Sequence, residues 1–151
     1  MSTSPYALRQ RILLVDDDLD ILDTLRLILE TKYEVISVSD GKEAVDRYKD
    51  MEPDLFIVDA MMPEMSGYEV ADSVRSNPRY KEIPIIMLSG LDSMQDHRTG
   101  YEHGISLYLT KPFTPDILMK NVDLELAKLG RPPKKKYSLD ELKKKFSKSK
   151  R

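Results

Sequence analysis

The sequence predicts an α/β domain, a (βα)5 doubly wound sheet of five parallel strands, followed by a short basic helical tail. Three observations point there. Short continuous apolar runs alternate with longer stretches whose apolar residues recur at helical spacing, the pattern of strands covered on both faces by amphipathic helices. Asp and Thr residues stand where those helices must start. The connections between runs are long enough for helical crossovers, which are right-handed between parallel strands.

In order along the chain, the apolar runs at 12–15, 35–38, 55–58, 85–88 and 107–109 are the expected strands. Asp18 or Asp20 caps a first helix reaching about Glu30, with Ile21, Leu25, Ile28 and Leu29 on one face. Asp40 caps a second, with Ala44, Val45 and Tyr48 inward, ending before Pro53. A third runs over 66–75 and stops at Ser76-Asn77-Pro78. A fourth spans about 93–103 and ends at Gly104. The fifth has Thr114 as cap and Pro115 in its first turn, with Leu118, Val122, Leu126 and Leu129 at helical spacing. The expected division is an N-terminal extension over 1–10, the domain over 11–130 and the tail over 131–151.

Composition removes several function classes. The 151 residues include no cysteine, which excludes thiol catalysis, iron–sulfur ligation and cysteine-built zinc sites. No apolar run approaches the roughly 20 residues of a membrane span, and residues 1–10 lack the apolar stretch of a secretion signal, so the cytoplasm is the expected location. The formal charge of −2 conceals two differently built parts. Residues 131–151 carry 10 Lys and Arg against 2 Asp and Glu, net +8, while residues 1–130 carry 14 against 24, net −10.

A doubly wound sheet works at the carboxyl ends of its strands. Strand one ends in Asp16-Asp17-Asp18, strand three in Asp59, strand four in Ser89-Gly90 and strand five in Thr110-Lys111-Pro112. Carboxylates brought together in a half-buried cleft raise one another's pKa, and a hard divalent cation such as Mg²⁺ relieves them, with Lys111 as a second, fixed positive charge. Asp also caps helices, and one or two of the three aspartates after Val15 are expected to do only that. Capping does not explain Asp59 directly after an apolar strand, or Lys111 before Pro112. No G-x-G-x-x-G or G-x-x-x-x-G-K-[ST] follows strand one, so dinucleotide and P-loop binding lack their backbone cradle. Asp16-x-Asp18 alone fits an aspartyl-nucleophile phosphohydrolase of the haloacid dehalogenase type, which leaves Asp59 and Lys111 unexplained.

Over about residues 10–130 the chain resembles the receiver domain of two-component response regulators, which is CheY-like and flavodoxin-like in fold. The resemblance rests on Ile12-Leu13-Leu14-Val15-Asp16-Asp17-Asp18, on Asp59-Ala60-Met61-Met62-Pro63-Glu64-Met65-Ser66-Gly67, on Leu88-Ser89-Gly90, and on Tyr108-Leu109-Thr110-Lys111-Pro112-Phe113, all in order. It implies a phosphoprotein of phosphorelay signalling in which Asp59 accepts a phosphoryl group from a histidine kinase or phosphotransfer protein. It also implies that Asp17 ligates Mg²⁺ directly and Asp16 mostly through water, with Asp59 and the Met61 backbone carbonyl completing the metal's protein ligands. Lys111 would pair with the phosphoryl oxygens, Ser89 would swing to hydrogen-bond them, and Tyr108 would turn inward in response. Lys111-Pro112 looks like the family's cis peptide. An output protein would meet the face of helix four, strand five and helix five, and a homodimer is a further implied partner. Enzymatic activity is not implied beyond Mg²⁺-dependent self-phosphorylation and autodephosphorylation.

Asp is a usable nucleophile because a carboxylate needs no general base, so neither His97 nor His103 is required, and both are expected at the surface. Gly90 stands where the family more often has alanine. Met61 and Leu91 are apolar at the two positions that tune water access to the phosphoaspartate, which reads either as a shielded phosphate or as packing.

In the tail, Arg131-Pro132-Pro133 starts a stiff linker, and Ser138 with Glu141 forms a capping-box pattern ahead of Leu139, Leu142 and Phe146. Three readings stay open there: binding to nucleic acid or an anionic membrane, docking on a partner or on the acidic domain itself, or a solvated run. Two function classes follow, a phosphoaccepting switch without a conventional output domain and the receiver part of a nucleic-acid-binding transcriptional regulator. A phosphatase acting on a small substrate is a third.

Overall fold

The computed structural model describes residues 9–90 and 103–129. In chain order they form β1 (Arg11–Val15), α1 (Leu19–Leu29), β2 (Glu34–Val38), α2 (Gly41–Met51), β3 (Leu55–Asp59), α3 (Gly67–Arg75), a 3-10 turn (Pro78–Tyr80), β4 (Ile85–Ser89), β5 (Leu107–Thr110) and α4 (Pro115–Leu129). All neighbouring strands pair in parallel, in the order β2-β1-β3-β4-β5. The five-stranded parallel sheet is therefore as expected. The helix expected over 93–103 lies, save for His103, outside the described residues, as do Leu91, His97, most of the N-terminal extension and the tail. His103 itself stands in a turn with Gly104.

The strands read as continuous apolar runs because each is covered twice. Leu13, Val15, Phe56, Val58, Ile85 and Met87 face the side packed by α2 and α3, whereas Ile12, Leu14, Leu55, Ile57, Ile86 and Leu88 face α1 and α4. Each strand gains at one end a residue the apolar pattern had not included: Arg11, Glu34, Asp59, Ser89 and Thr110 are polar yet extend the ladder.

The helix starts follow side-chain chemistry. Asp18 caps α1, its carboxylate accepting the N–H groups of Asp20 and Ile21; Asp40 caps α2 through Glu43 N–H; Ser66 caps α3 through Glu69 N–H. Thr114 Oγ1 accepts from Ile117 N–H at 3.2 Å at the start of α4. On α1 the buried stripe is Leu22, Leu25 and Leu29, with Ile21 and Ile28 half-buried at its margins, so Leu22 is a core residue that the sequence reading did not include. Val45 and Leu129 are likewise half-buried, while the remaining inward residues of α2 and α4 are in the core.

The sheet edge away from the strands' carboxyl ends is closed by charge. Arg11 is 1% exposed; its Nε donates to Glu34 Oε2 at 3.2 Å, its Nη1 to the Met51 carbonyl at 3.1 Å, and its backbone N–H to Asp54 Oδ2 at 2.8 Å. A buried guanidinium needs such a set of acceptors, because an uncompensated charge in the interior is strongly destabilising. This cluster ties the starts of β1, β2 and β3 together and leaves their other ends for chemistry.

Candidate functional site

The strand order reverses direction between β1 and β3, the point at which a doubly wound sheet binds its ligands, outside the carboxyl ends of its strands. Asp16 follows β1, held by its N–H to the Val38 carbonyl at 3.3 Å. Asp59 ends β3, and the next N–H, of Ala60, donates to the Leu88 carbonyl at 2.9 Å. The loop beyond is drawn tight where Gly67 N–H donates to the Ala60 carbonyl at 3.0 Å. A Cβ on Gly67 would stand 2.3 Å from the Asp59 carbonyl oxygen, so only glycine fits there.

From the other side, Ser89 ends β4 and pairs with Thr110 of β5, and Lys111 N–H donates to the Ser89 carbonyl at 2.8 Å. The Lys111-Pro112 peptide is cis. Lys111 Nζ donates to Asp59 Oδ1 at 2.9 Å and lies 3.7 Å from Asp16 Oδ2. One carboxylate oxygen from each of Asp16, Asp17 and Asp59 falls within 4.8 Å of the others. Asp16 and Asp59 are buried, and Asp17 is exposed at the mouth.

The third aspartate of the run behaves differently. Asp18 spends its side chain on the α1 N-terminus, and its own N–H donates to Asp16 Oδ1 at 2.9 Å. An Asp16-x-Asp18 catalytic pair therefore lacks its second acid, and the haloacid dehalogenase alternative loses its support.

The electrostatics are those of crowded carboxylates with one cation. Burial, together with the charges of Asp59 and Asp17, pushes Asp16 up to about 6 against the lowering effect of Asp18 N–H and Lys111. Burial also raises Asp59, and the hydrogen bond and charge of Lys111 offset only part of it. Burial alone would lower Lys111, but its hydrogen bond to Asp59 and the charges of Asp59 and Asp16 outweigh that and raise it, so the amine is held charged. Asp16 Oδ2 is fully buried and accepts no hydrogen bond among the described residues. A lone pair so placed, beside two further carboxylate oxygens, suits a hard divalent cation with oxygen ligands.

The remaining residues singled out from sequence fall around this centre. Met61 lies on the loop just after Asp59, its side chain 76% exposed. Ser89 is buried at the end of β4. Tyr108, on β5, is half-buried against the α2 and α3 side of the core, and its hydroxyl donates to the Tyr68 hydroxyl at 3.2 Å. His103 is partly covered rather than fully at the surface: its Nδ1 lies 2.5 Å from Asp72 Oδ1, and its ring packs 5.4 Å from that of Tyr68. Sequence reasoning did not single out Tyr68, although an aromatic on the first turn of the helix after Asp59 was a signal available to it.

A parallel sheet whose switch point gathers three carboxylates around one lysine defines a doubly wound domain built on an acidic pocket. The chain belongs to the response regulator receiver domain family, whose family model matches residues 12–123. It is 35% identical over 124 residues to the DNA-binding dual master transcriptional regulator RpaA of Synechocystis, covering 82% of this chain and 52% of that one. It is 38% identical over 109 residues to the alkaline phosphatase synthesis transcriptional regulatory protein PhoP of Bacillus subtilis, covering 72% and 45%. Among solved structures, the chemotaxis protein CheY4 of Vibrio cholerae superposes with a TM-score of 0.74 at 33% identity, covering 77% of this chain and 98% of that one. The chain thus spans about half the length of these two regulators. Receiver domains act with histidine kinases and output domains and use Mg²⁺ at an acidic pocket. Among the described residues no helix is long and apolar enough to cross a membrane.

Proposed function

We propose that the chain is a phosphoacceptor response regulator in which Asp59 receives a phosphoryl group from a histidine kinase or histidine phosphotransfer protein. The observation that carries this is the hydrogen bond of Lys111 Nζ to Asp59 within a cluster of three carboxylates at the sheet's switch point. The Asp59 carboxylate attacks the donor phosphorus in line; an O–P bond forms, the donor's P–N bond breaks, and its electron pair leaves on the imidazole nitrogen. Such a transfer asks the protein for position and charge neutralisation more than for covalent work. Lys111 supplies a fixed cation, pinned at its backbone by Ser89. Asp16 and Asp17, with Asp59 and the Met61 backbone carbonyl, would hold Mg²⁺, which when bound neutralises the phosphoryl oxygens. Ser89 then donates its hydroxyl to the new group, and Tyr108 changes its seat on β5. The surface so altered, on β5 and α4, is the one offered to an output protein or to a second copy.

The division of the chain into an extension over 1–10, a receiver over 11–130 and a basic tail over 131–151 belongs to this reading, as does a place in the cytoplasm. A second reading is favoured by one observation: RpaA and PhoP are named as transcriptional regulators, and this chain matches about half of each. On that reading the receiver controls nucleic-acid binding by the basic tail or by a further C-terminal domain. The test of the phosphoacceptor reading is incubation with acetyl phosphate and Mg²⁺ followed by intact mass. Gain of one phosphoryl group by the wild type, abolished in Asp59→Asn and by chelation of the metal, is expected; equal gain in Asp59→Asn overturns the assignment.

A further inference from the structure

The α3 helix carries a polar stripe that the phosphoacceptor chemistry leaves unused. Tyr68, Asp72 and Arg75 stand at i, i+4 and i+7, which places them on one face of the helix. All three reach residues 103–108, the segment that leads into and begins β5. The Tyr68 hydroxyl accepts from Tyr108 at 3.2 Å. Asp72 Oδ1 meets His103 Nδ1 at 2.5 Å. The Arg75 guanidinium grips the Gly104 carbonyl through Nε at 2.9 Å and Nη2 at 2.8 Å, while its Nη1 holds the carbonyls of Tyr80 and Ile83. Gly104 is fitted to that grip: its φ is +79°, and a Cβ there would come within 2.7 Å of Arg75 Nε.

The other end of α3 is fastened to the site. Gly67, its first residue, donates to the Ala60 carbonyl and lies so close to the Asp59 backbone that no side chain fits between them. Tyr68 is the next residue. A nine-residue helix, braced by its own hydrogen bonds, transmits a shift at one end to side chains along its length.

We infer that α3 couples the Asp59 loop to the 103–108 segment, with Tyr68 as the positioning residue that seats the Tyr108 hydroxyl and Asp72–His103 as the second hold. This rests on the reading of Asp59 as the phosphoacceptor. When the loop around Asp59 rearranges about its new group, α3 moves with Gly67, and the Tyr68–Tyr108 hydrogen bond is made in one state and lost in the other. The three attachments differ in strength. Arg75, with four hydrogen bonds to carbonyls, is the fixed pivot, and the hydrogen bond of Tyr108 to Tyr68 and the contact of Asp72 with His103 are the holds that let go.

The experiment follows the amide resonances of Gly104 and Tyr108 by NMR in the full chain, with and without acetyl phosphate and Mg²⁺, with intact mass measured on the same samples. Tyr68→Phe keeps the ring and removes the hydroxyl. It should gain the phosphoryl group as the wild type does, while the ratio of the two states reported at Gly104 changes by about two- to tenfold, the effect of one hydrogen bond. Asp72→Ala, at an exposed position, should change the same ratio in an independent sample. In the double variant with Tyr108→Phe, the two effects should be less than additive, because both changes remove the bond the two hydroxyls share. Phosphorylated Tyr68→Phe and Asp72→Ala that both respond at Gly104 as the wild type does overturn the coupling, as do fully additive effects in the double variant. A wild type that gains no phosphoryl group overturns the reading of Asp59 instead, and this inference falls with it.

Discussion

Asp16 holds a carboxyl where a negative charge is costly, and its pKa makes the cost measurable. In the folded chain it titrates at about 6, against about 4 for an unfolded aspartate. The folded state therefore binds the proton more tightly, and stability is fully present below about pH 4 and falls as pH rises through about 6. In metal-free buffer, Asp16→Asn should be the more stable protein at pH 7, by about 1–3 kcal/mol, with the difference closing by pH 4. Urea melts across that range check this, and a variant less stable than wild type at pH 7 would show that Lys111 outweighs burial. Added Mg²⁺ should then stabilise the wild type more than the variant, since it binds only the folded site. The glycines give a second contrast. Gly67→Ala forces a methyl group onto the Asp59 carbonyl and should cost roughly 1–3 kcal/mol or more. Gly90→Ala meets nothing within 4 Å among the described residues and should gain about 0.4–1 kcal/mol through the unfolded chain. At this scale much of the site was legible, because Asp59, Lys111 and Ser89 sit directly on strand ends that apolar runs reveal. Asp18 and Asp20 were not separable as the cap of α1 until the backbone showed that Asp18 accepts the first N–H groups. Arg11 was hidden for a different reason: its burial depends on acceptors supplied from β2, α2 and the turn before β3.

At the scale of elements, α4 and α1 share one side of the sheet, and their buried stripes carry the packing. Leu118→Ala, at a fully buried position, should destabilise by about 2–5 kcal/mol, whereas Leu124→Ala, 51% exposed, should stay within about 0.5 kcal/mol. Thermal or urea unfolding of the two variants makes the comparison, and equal losses would contradict the assignment of the stripe. Among the described residues, element order and type were legible because apolar runs and helical spacing differ in period. Element ends were less so. Strands gained polar residues at their tips, since ladder hydrogen bonds continue past the last apolar side chain, and the α1 stripe passed through Leu22 rather than Ile21, a rotation of one residue that spacing alone does not resolve. The ties from α3 to Gly104 and Tyr108 join residues distant in sequence and had no local signal.

At the scale of the whole chain, a net charge of −10 over residues 1–130 adjoins +8 over residues 131–151. Contacts between them are expected at low salt, each worth about 0–1 kcal/mol and weakened as the screening length falls to about 10 Å at 0.1 M. Deleting 131–151 should therefore change self-association or nucleic-acid binding most at low salt, as sedimentation and binding titrations would show. A deletion without effect on either at any salt leaves the tail a solvated run. The phosphoryl switch belongs to this scale too. A flip from 1:99 to 99:1 needs about 5.5 kcal/mol of differential binding, within reach of a group of about −2 charge met by a metal ion, Lys111 and Ser89. Ser89→Ala should keep the phosphoryl gain and lose the accompanying change in tyrosine fluorescence.

The accepting residue can be identified by chemical trapping. After acetyl phosphate and Mg²⁺, borohydride reduces an aspartyl phosphate to homoserine, which stays in the chain through digestion and peptide sequencing by mass. Homoserine at position 59, dependent on the phosphodonor, is the predicted result; homoserine at position 16 or 17 with Asp59 unchanged would contradict it.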